Sequence, residues 1–186
     1  MNTKFMVKIA ALIALSALLS ACSSLQWSAN RIDRESDGAL VVFKEEVNGA
    51  EVFLNQAAGY LVFPRVIKAG LGIGGETGEG SLRVGGKTIE YYRISSGSIG
   101  FQAGAQSRSM VIAFMTKDAL EDFRHSNGWR VGIDGSVALI DIGAGKTIDS
   151  QNVRDPVVGF IFGSTGLMYN LTLEGTRFTR VSKESN

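Results

Sequence analysis

Apolar positions along the chain fall into three regimes, and each predicts a different kind of element. The first is a nearly unbroken apolar run from Ile9 to Leu18, preceded by Lys4 and Lys8 and closed by small residues. That order of charged, apolar and small segments is the order of a secretory signal, and the run is too short to span a bilayer. The second regime repeats at helical spacing: Ala39, Leu40, Phe43 and Val47 with Lys44, Glu45 and Glu46 opposite, then Ala50, Phe53, Leu54 and Ala57 beyond Asn48-Gly49. It predicts two amphipathic helices packed on the domain's own sheet, the first led by the capping-rich Asp33-Arg34-Glu35-Ser36-Asp37. Acids on the polar faces argue against a helix lying on anionic lipid.

From Gly59 the period changes to two, with glycine punctuation. Tyr60 to Ser81 begins as an apolar strand and passes into six glycines between Gly70 and Gly80. It predicts a buried strand entering a glycine-dominated hairpin, whose bare backbone admits a neighbouring strand or a ligand head group. Val84-Gly85-Gly86-Lys87 has the form of a tight turn joining Ser81–Val84 to Thr88–Ile94, and Glu174-Gly175 repeats it between Met168–Leu173 and Thr176–Val181. Further strands are expected at Ser98–Ala103, Met110–Met115, Arg130–Ile133, Val137–Ile142 and Val157–Phe162. One helix interrupts them: Thr116 caps Lys117–His125, which presents Leu120 and Phe123, and Asn127-Gly128 supplies a left-handed stop. Gly143–Asp155 reads as a long loop. The predicted fold is an α+β, β-rich single domain: eight or more strands in a large antiparallel or barrel-like sheet, two N-terminal helices and one short inserted helix.

Cysteine usage changes the picture at the N-terminus. The single cysteine, Cys22, directly follows the apolar run, and Leu19-Ser20-Ala21-Cys22 resembles the bacterial lipobox, in which the thiol receives a diacylglycerol and the new amino terminus is acylated. Several acyl chains make a durable anchor where one is marginal. The expected organisation is therefore a signal peptide over 1–21, a lipidated N-terminus and tether over 22–35, and a domain over 36–186. Ser23, with no aspartate after the cysteine, resembles the outer-membrane side of the lipoprotein sorting rule and implies a lipid-anchored protein on the periplasmic face of that membrane. Disulfides within one chain are excluded. Loss of Lys4 and Lys8 turns the formal charge from +1 to −1, which argues against nucleic acid as a partner. All 23 glycines fall after the signal, without a collagen period and with too much apolar content for disorder.

Candidate chemistry is sparse. Gly70, Gly72 and Gly75 satisfy the dinucleotide pattern GxGxxG, but Glu76-Thr77-Gly78-Glu79-Gly80 follows where a helix N-terminus is needed, and its acids repel phosphate. Gly86-Lys87-Thr88 and Gly145-Lys146-Thr147 lack the first glycine of a phosphate loop, Ser81 and Ile140 standing there. One histidine and one cysteine leave no Cys/His zinc set. His125 sits where an imidazolium meets a helix C-terminus, and no GxSxG elbow accompanies it. Glu76 and Glu79 read as solvated acids that could at most flank a cation. No catalytic residue, metal or cofactor is expected.

Four ordered blocks resemble the SYLF domain, also called Ysc84-type. They are Ala58 to Pro64 with Lys68 to Gly75 and Gly78-Glu79-Gly80; Gly97 to Gly104; Asp118 to Phe123 with Gly132 to Ala138; and Gly166 to Gly175. The similarity covers about Ala39 to Val181. It implies a non-enzymatic lipid-binding module; eukaryotic members bind phosphoinositides and, in the yeast type, actin filaments, whereas bacterial members are mostly secreted or lipoprotein forms. Tyr91-Tyr92 stands where a tryptophan-containing segment is usual and no SH3 domain follows, so actin binding is not carried over. What transfers is recognition of an anionic phospholipid, with Lys68, Arg83 and Lys87 as the nearest cations and the backbone of Gly72, Gly74 and Gly75 as the approach. The alternative is a structural module that binds another envelope protein through loops such as Gly143–Asp155.

Overall fold

The computed structural model describes residues 27–141, 155–166, 173 and 175–183. The expected signal, Cys22, most of the 143–155 loop and the Met168–Leu173 strand up to residue 172 lie outside the described residues.

Helix α1, Ala29–Glu46, opens earlier than the apolar stripe suggested. Ser28 caps it, its hydroxyl accepting from the Arg31 N–H at 3.4 Å, so Asp33–Asp37 is helix interior and not its lead. Helix α1 also begins within the stretch expected as tether. Its buried stripe runs Ala29, Ile32, Ser36, Ala39, Leu40, Phe43, and periodicity lost it at Ser36, a polar residue whose hydroxyl accepts from Ser81 Oγ at 3.1 Å. Helix α2, Ala50–Gln56, buries Ala50, Phe53 and Leu54.

Strands β1, Gly59–Val84, and β2, Lys87–Phe114, form one antiparallel hairpin paired from Gly59↔Phe114 to Val84↔Lys87. The reversal lies at Gly85-Gly86, both at positive φ (56° and 78°), as a tight turn of that kind requires. The glycine-rich half of Tyr60–Ser81 is thus a continuation of β1 and not a hairpin of its own. For the same reason Thr88–Ile94, Ser98–Ala103 and Met110–Met115 are one strand. Their separating glycines and serines bend the ladder without ending it.

This hairpin folds back across itself. A Cβ on Gly78 would lie 2.5 Å from the Arg65 carbonyl oxygen and 3.1 Å from Val66 Cα, and one on Gly80 would strike the Val62 carbonyl. The far half of β1 therefore crosses its near half with only glycine thickness between them. Helix α3, Lys117–His125, is capped by Thr116 as expected. Strands β3 (Trp129–Arg130), β4 (Ala138–Asp141), β5 (Val157–Gly166) and β6 (Arg177–Val181) complete the described sheet. Its order is β3-β6-β2-β5-β4, with β1 on the other edge of β2. Six strands are present among the described residues, because segments expected as separate strands run together along β1 and β2. Most pairings are antiparallel, but β4 runs parallel to β5. The curled, half-barrel sheet with helices against it is the expected α+β class.

Two apolar clusters hold it. Inside the curl, Leu61, Phe63, Val66, Leu82, Ile94, Met110, Ile112 and Phe114 meet Leu120 and Phe123 of α3 and Phe178 of β6. On the other face, Phe43 and Phe53 of the helices pack on Phe160, with ring centroids 5.3 and 4.9 Å apart, and on Val62, Val111 and Val158. Burial of several phenylalanines at about 1.5–3 kcal/mol each makes α1 and α2 integral to the domain.

Candidate functional site

Mid-hairpin, from Gly70 to Gly75, the ladder bends sharply. The register jumps from Leu71↔Ala103 to Ile73↔Ile99, so β2 carries extra residues opposite Gly72, which takes φ +73°. A Cβ on Gly70 would lie 2.5 Å from Gly74 Cα. The bend throws two aliphatic side chains into solvent, Leu71 at 82% and Ile73 at 74% exposure, with Ile67 at 41%. Arg65 is exposed on the same strand, and beside Arg65 and Ile67 an open groove of about 520 Å³ runs past Ala105, Gln106, Ser107 and Thr165.

Behind the bend, the inner face of the hairpin turns polar. Val66 pairs with Arg108 and Lys68 with Gln106, and cross-strand partners share a face. All three polar residues are buried: Arg108 at 2%, Lys68 at 5% and Gln106 at 6% exposure. Glu76, returning on the far side of the bend, accepts from Arg108 Nη2 at 2.5 Å. Among the described residues, Arg108 Nε and Nη1 and Gln106 Oε1 find no partner, and no hydrogen bond or ion pair to Lys68 occurs.

The sequence-derived cations separate. Lys68 lies beside the bend, as do Gly72, Gly74 and Gly75. Arg83 lies far from it, next to the Gly85-Gly86 turn, where it donates to Asp37 Oδ1 at 2.6 Å, Ser81 Oγ at 3.4 Å and the Asp33 carbonyl at 3.3 Å. That bonding fixes α1 to β1. Asp33 also accepts from Thr88 Oγ1 and Tyr91 Oη, both at 2.8 Å, and burial together with that carboxylate pushes the Tyr91 phenol up to about 12. Lys87 is exposed and flanks the Gly85-Gly86 turn.

Glu76 and Glu79, read as solvated, are both buried and paired. Glu79 accepts from Arg93 Nη2 at 2.7 Å, from Lys183 Nζ at 2.9 Å and from the Trp27 N–H at 2.9 Å. Burial pushes its carboxyl up, but these donors outweigh burial and hold it below the usual carboxylate range. Sequence reasoning missed Gln106 and Arg108, although Met110 is inward and period two from it reaches both.

A second polar cleft, about 510 Å³, is lined by Glu90, Arg124, His125 and Arg180 among others. Glu90 occupies both guanidiniums, accepting from Arg124 Nη2 at 3.1 Å and Arg180 Nη1 at 3.2 Å. Exposed His125 sets Nδ1 2.8 Å from the Glu121 carbonyl. Among the described residues no cluster of three potential ligands could hold a metal ion, and no helix is long and apolar enough to cross a membrane.

Fold and site together define an α+β domain built on a single bent hairpin. Over residues 95–186 the chain belongs to the Ysc84, or SYLF, family, whose description is "Las17-binding protein actin regulator". The matched range takes in Gln106, Arg108, α3 and β3 to β6, and begins after the bend of β1. No curated protein matches the chain.

Proposed function

We propose that this chain is a non-enzymatic phospholipid-binding lipoprotein of the bacterial cell envelope, held at the outer membrane by acylated Cys22, with the Gly70–Gly75 bend as its contact with anionic lipid. The observation that carries this reading is the pair Leu71 and Ile73, 82% and 74% exposed at the apex of a bend held by close backbone packing. An aliphatic pair on a stiff support can enter the acyl boundary without ordering cost, and Arg65 on the same strand favours negative head groups. Each such side chain contributes about 1.5–3 kcal/mol when fully taken out of water.

Flotation of protein lacking residues 1–22 with phosphatidylglycerol vesicles tests it. Leu71→Ser with Ile73→Ser is expected to weaken binding about tenfold or more. Equal binding to neutral and anionic vesicles, or full binding by the double variant, contradicts the reading. The family description names a protein partner, and the groove beside Ile67 supports a second reading, an envelope protein docked there. Crosslinking in cells that traps one specific partner, lost when Ile67 is changed and kept when Leu71 and Ile73 are, favours it.

A further inference from the structure

Beyond the membrane contact, the interior of the hairpin carries an unbalanced polar group. Among the described residues, Lys68 and Arg108 are two basic side chains against one carboxylate, Glu76, all at 5% exposure or less. Ion pairs that are buried normally come with their remaining donors and acceptors satisfied, because an uncompensated charge or an unmade hydrogen bond in the interior is costly. Here, among the described residues, Arg108 Nε and Nη1 are donors without acceptors, and Gln106 Oε1 is an acceptor without a donor. Lys68 and Gln106 are direct cross-strand partners, with Arg108 one inward position further along β2.

We infer that Lys68, Gln106 and Arg108 form a binding site for a hydroxyl-bearing phosphate ester, of the glycerol phosphate type. Its phosphoryl oxygens take the free guanidinium N–H groups and the Lys68 ammonium, supplying the missing negative charge, and its hydroxyl donates to Gln106 Oε1. Arginine and lysine are the usual phosphate ligands, and charge-assisted bonds of this kind are the stronger ones. Entry is by way of the open groove lined by Arg65, Ile67 and Ala105. Gln106 also lines the open groove beside Ile67. A free glycerol phosphate and the head group of phosphatidylglycerol offer the same chemistry.

The test uses the full chain, with glycerol 3-phosphate and phosphatidylglycerol vesicles as separate probes and Lys68→Met and Gln106→Glu as variants. Lys68→Met removes the ammonium, and Gln106→Glu supplies a resident carboxylate. Both are expected to melt at or above the parent temperature while losing about tenfold or more in affinity for whichever probe binds. Response to glycerol 3-phosphate identifies a free phosphate ester, and response to vesicles alone identifies the lipid head group. The inference is overturned if neither probe's binding depends on Lys68 and Gln106, or if both variants melt well below the parent, since the ammonium is then already satisfied within the fold. Vesicle binding that survives both variants and fails in the Leu71/Ile73 pair overturns this site while leaving the membrane reading intact.

Discussion

Glu79 is the residue at which both ends of the described chain meet. Its carboxylate takes the Trp27 N–H and the Lys183 ammonium, which itself also donates to the Trp27 carbonyl at 2.8 Å. Together with Glu90, held low by Arg124, Tyr92 and Arg180 against the upward push of burial, it ties stability to pH. A carboxyl whose folded pKa is depressed contributes stability that is fully present above its unfolded value of about 4.3 and is lost as pH falls through the folded value. The urea midpoint is therefore expected to be flat from neutrality to about pH 5 and to fall below it. Glu79→Gln should cost about 3 kcal/mol at neutral pH, as removal of one partner of a buried pair does, and should flatten the acid slope in a urea–pH series. None of this was legible in Glu76-Thr77-Gly78-Glu79-Gly80, where acids among glycines look solvated. Their partners are set by the fold: three residues apart on one strand, the two acids face opposite sides, Glu76 toward Arg108 and Glu79 toward Trp27 and Lys183.

Among the elements, the hairpin decides the architecture, and its glycines divide by what each does. Gly78 and Gly80 allow the crossing, Gly72 accepts a left-handed conformation, and Gly75 does neither. Gly78→Ala meets the Arg65 carbonyl at 2.5 Å and should cost about 1–3 kcal/mol as an overpacked contact. Gly72→Ala has open space but φ +73°, and should cost about 1–2 kcal/mol for that conformation alone. Gly75→Ala meets only Ser96 O at 3.6 Å and is expected to leave the thermal midpoint nearly unchanged. Equal losses at all three positions in thermal melts would show that the crossing is not where the packing is tight. Periodicity found α3 with its Thr116 cap, the Gly85-Gly86 turn and the apolar stripe of each N-terminal helix. It failed at α1's first turns, where Ser36 interrupts the stripe, and along β1 and β2, where glycine marks a bend as readily as an end.

For the whole molecule, one bent hairpin supplies much of the inner core, and both edges of β2 carry strand partners. The fold class and the Ysc84 relationship were legible in the order of glycine and aromatic blocks: Gly97 to Gly104 falls in β2 at the bend, and Asp118 to Phe123 makes up most of α3. The geometry of the site was not, because Lys68, Arg83 and Lys87 look adjacent in a list of cations while the crossing sends Lys68 to the bend and the other two to the opposite end. The bend, and not the Gly85-Gly86 turn, is therefore expected to touch lipid. An environment-sensitive fluorophore placed through L71C, and separately through K87C, in protein lacking Cys22 tests it directly. On anionic vesicles the label at position 71 is expected to shift to the blue and brighten while the label at position 87 stays as in water. A shift at position 87, or vesicle binding with no change at position 71, would contradict it.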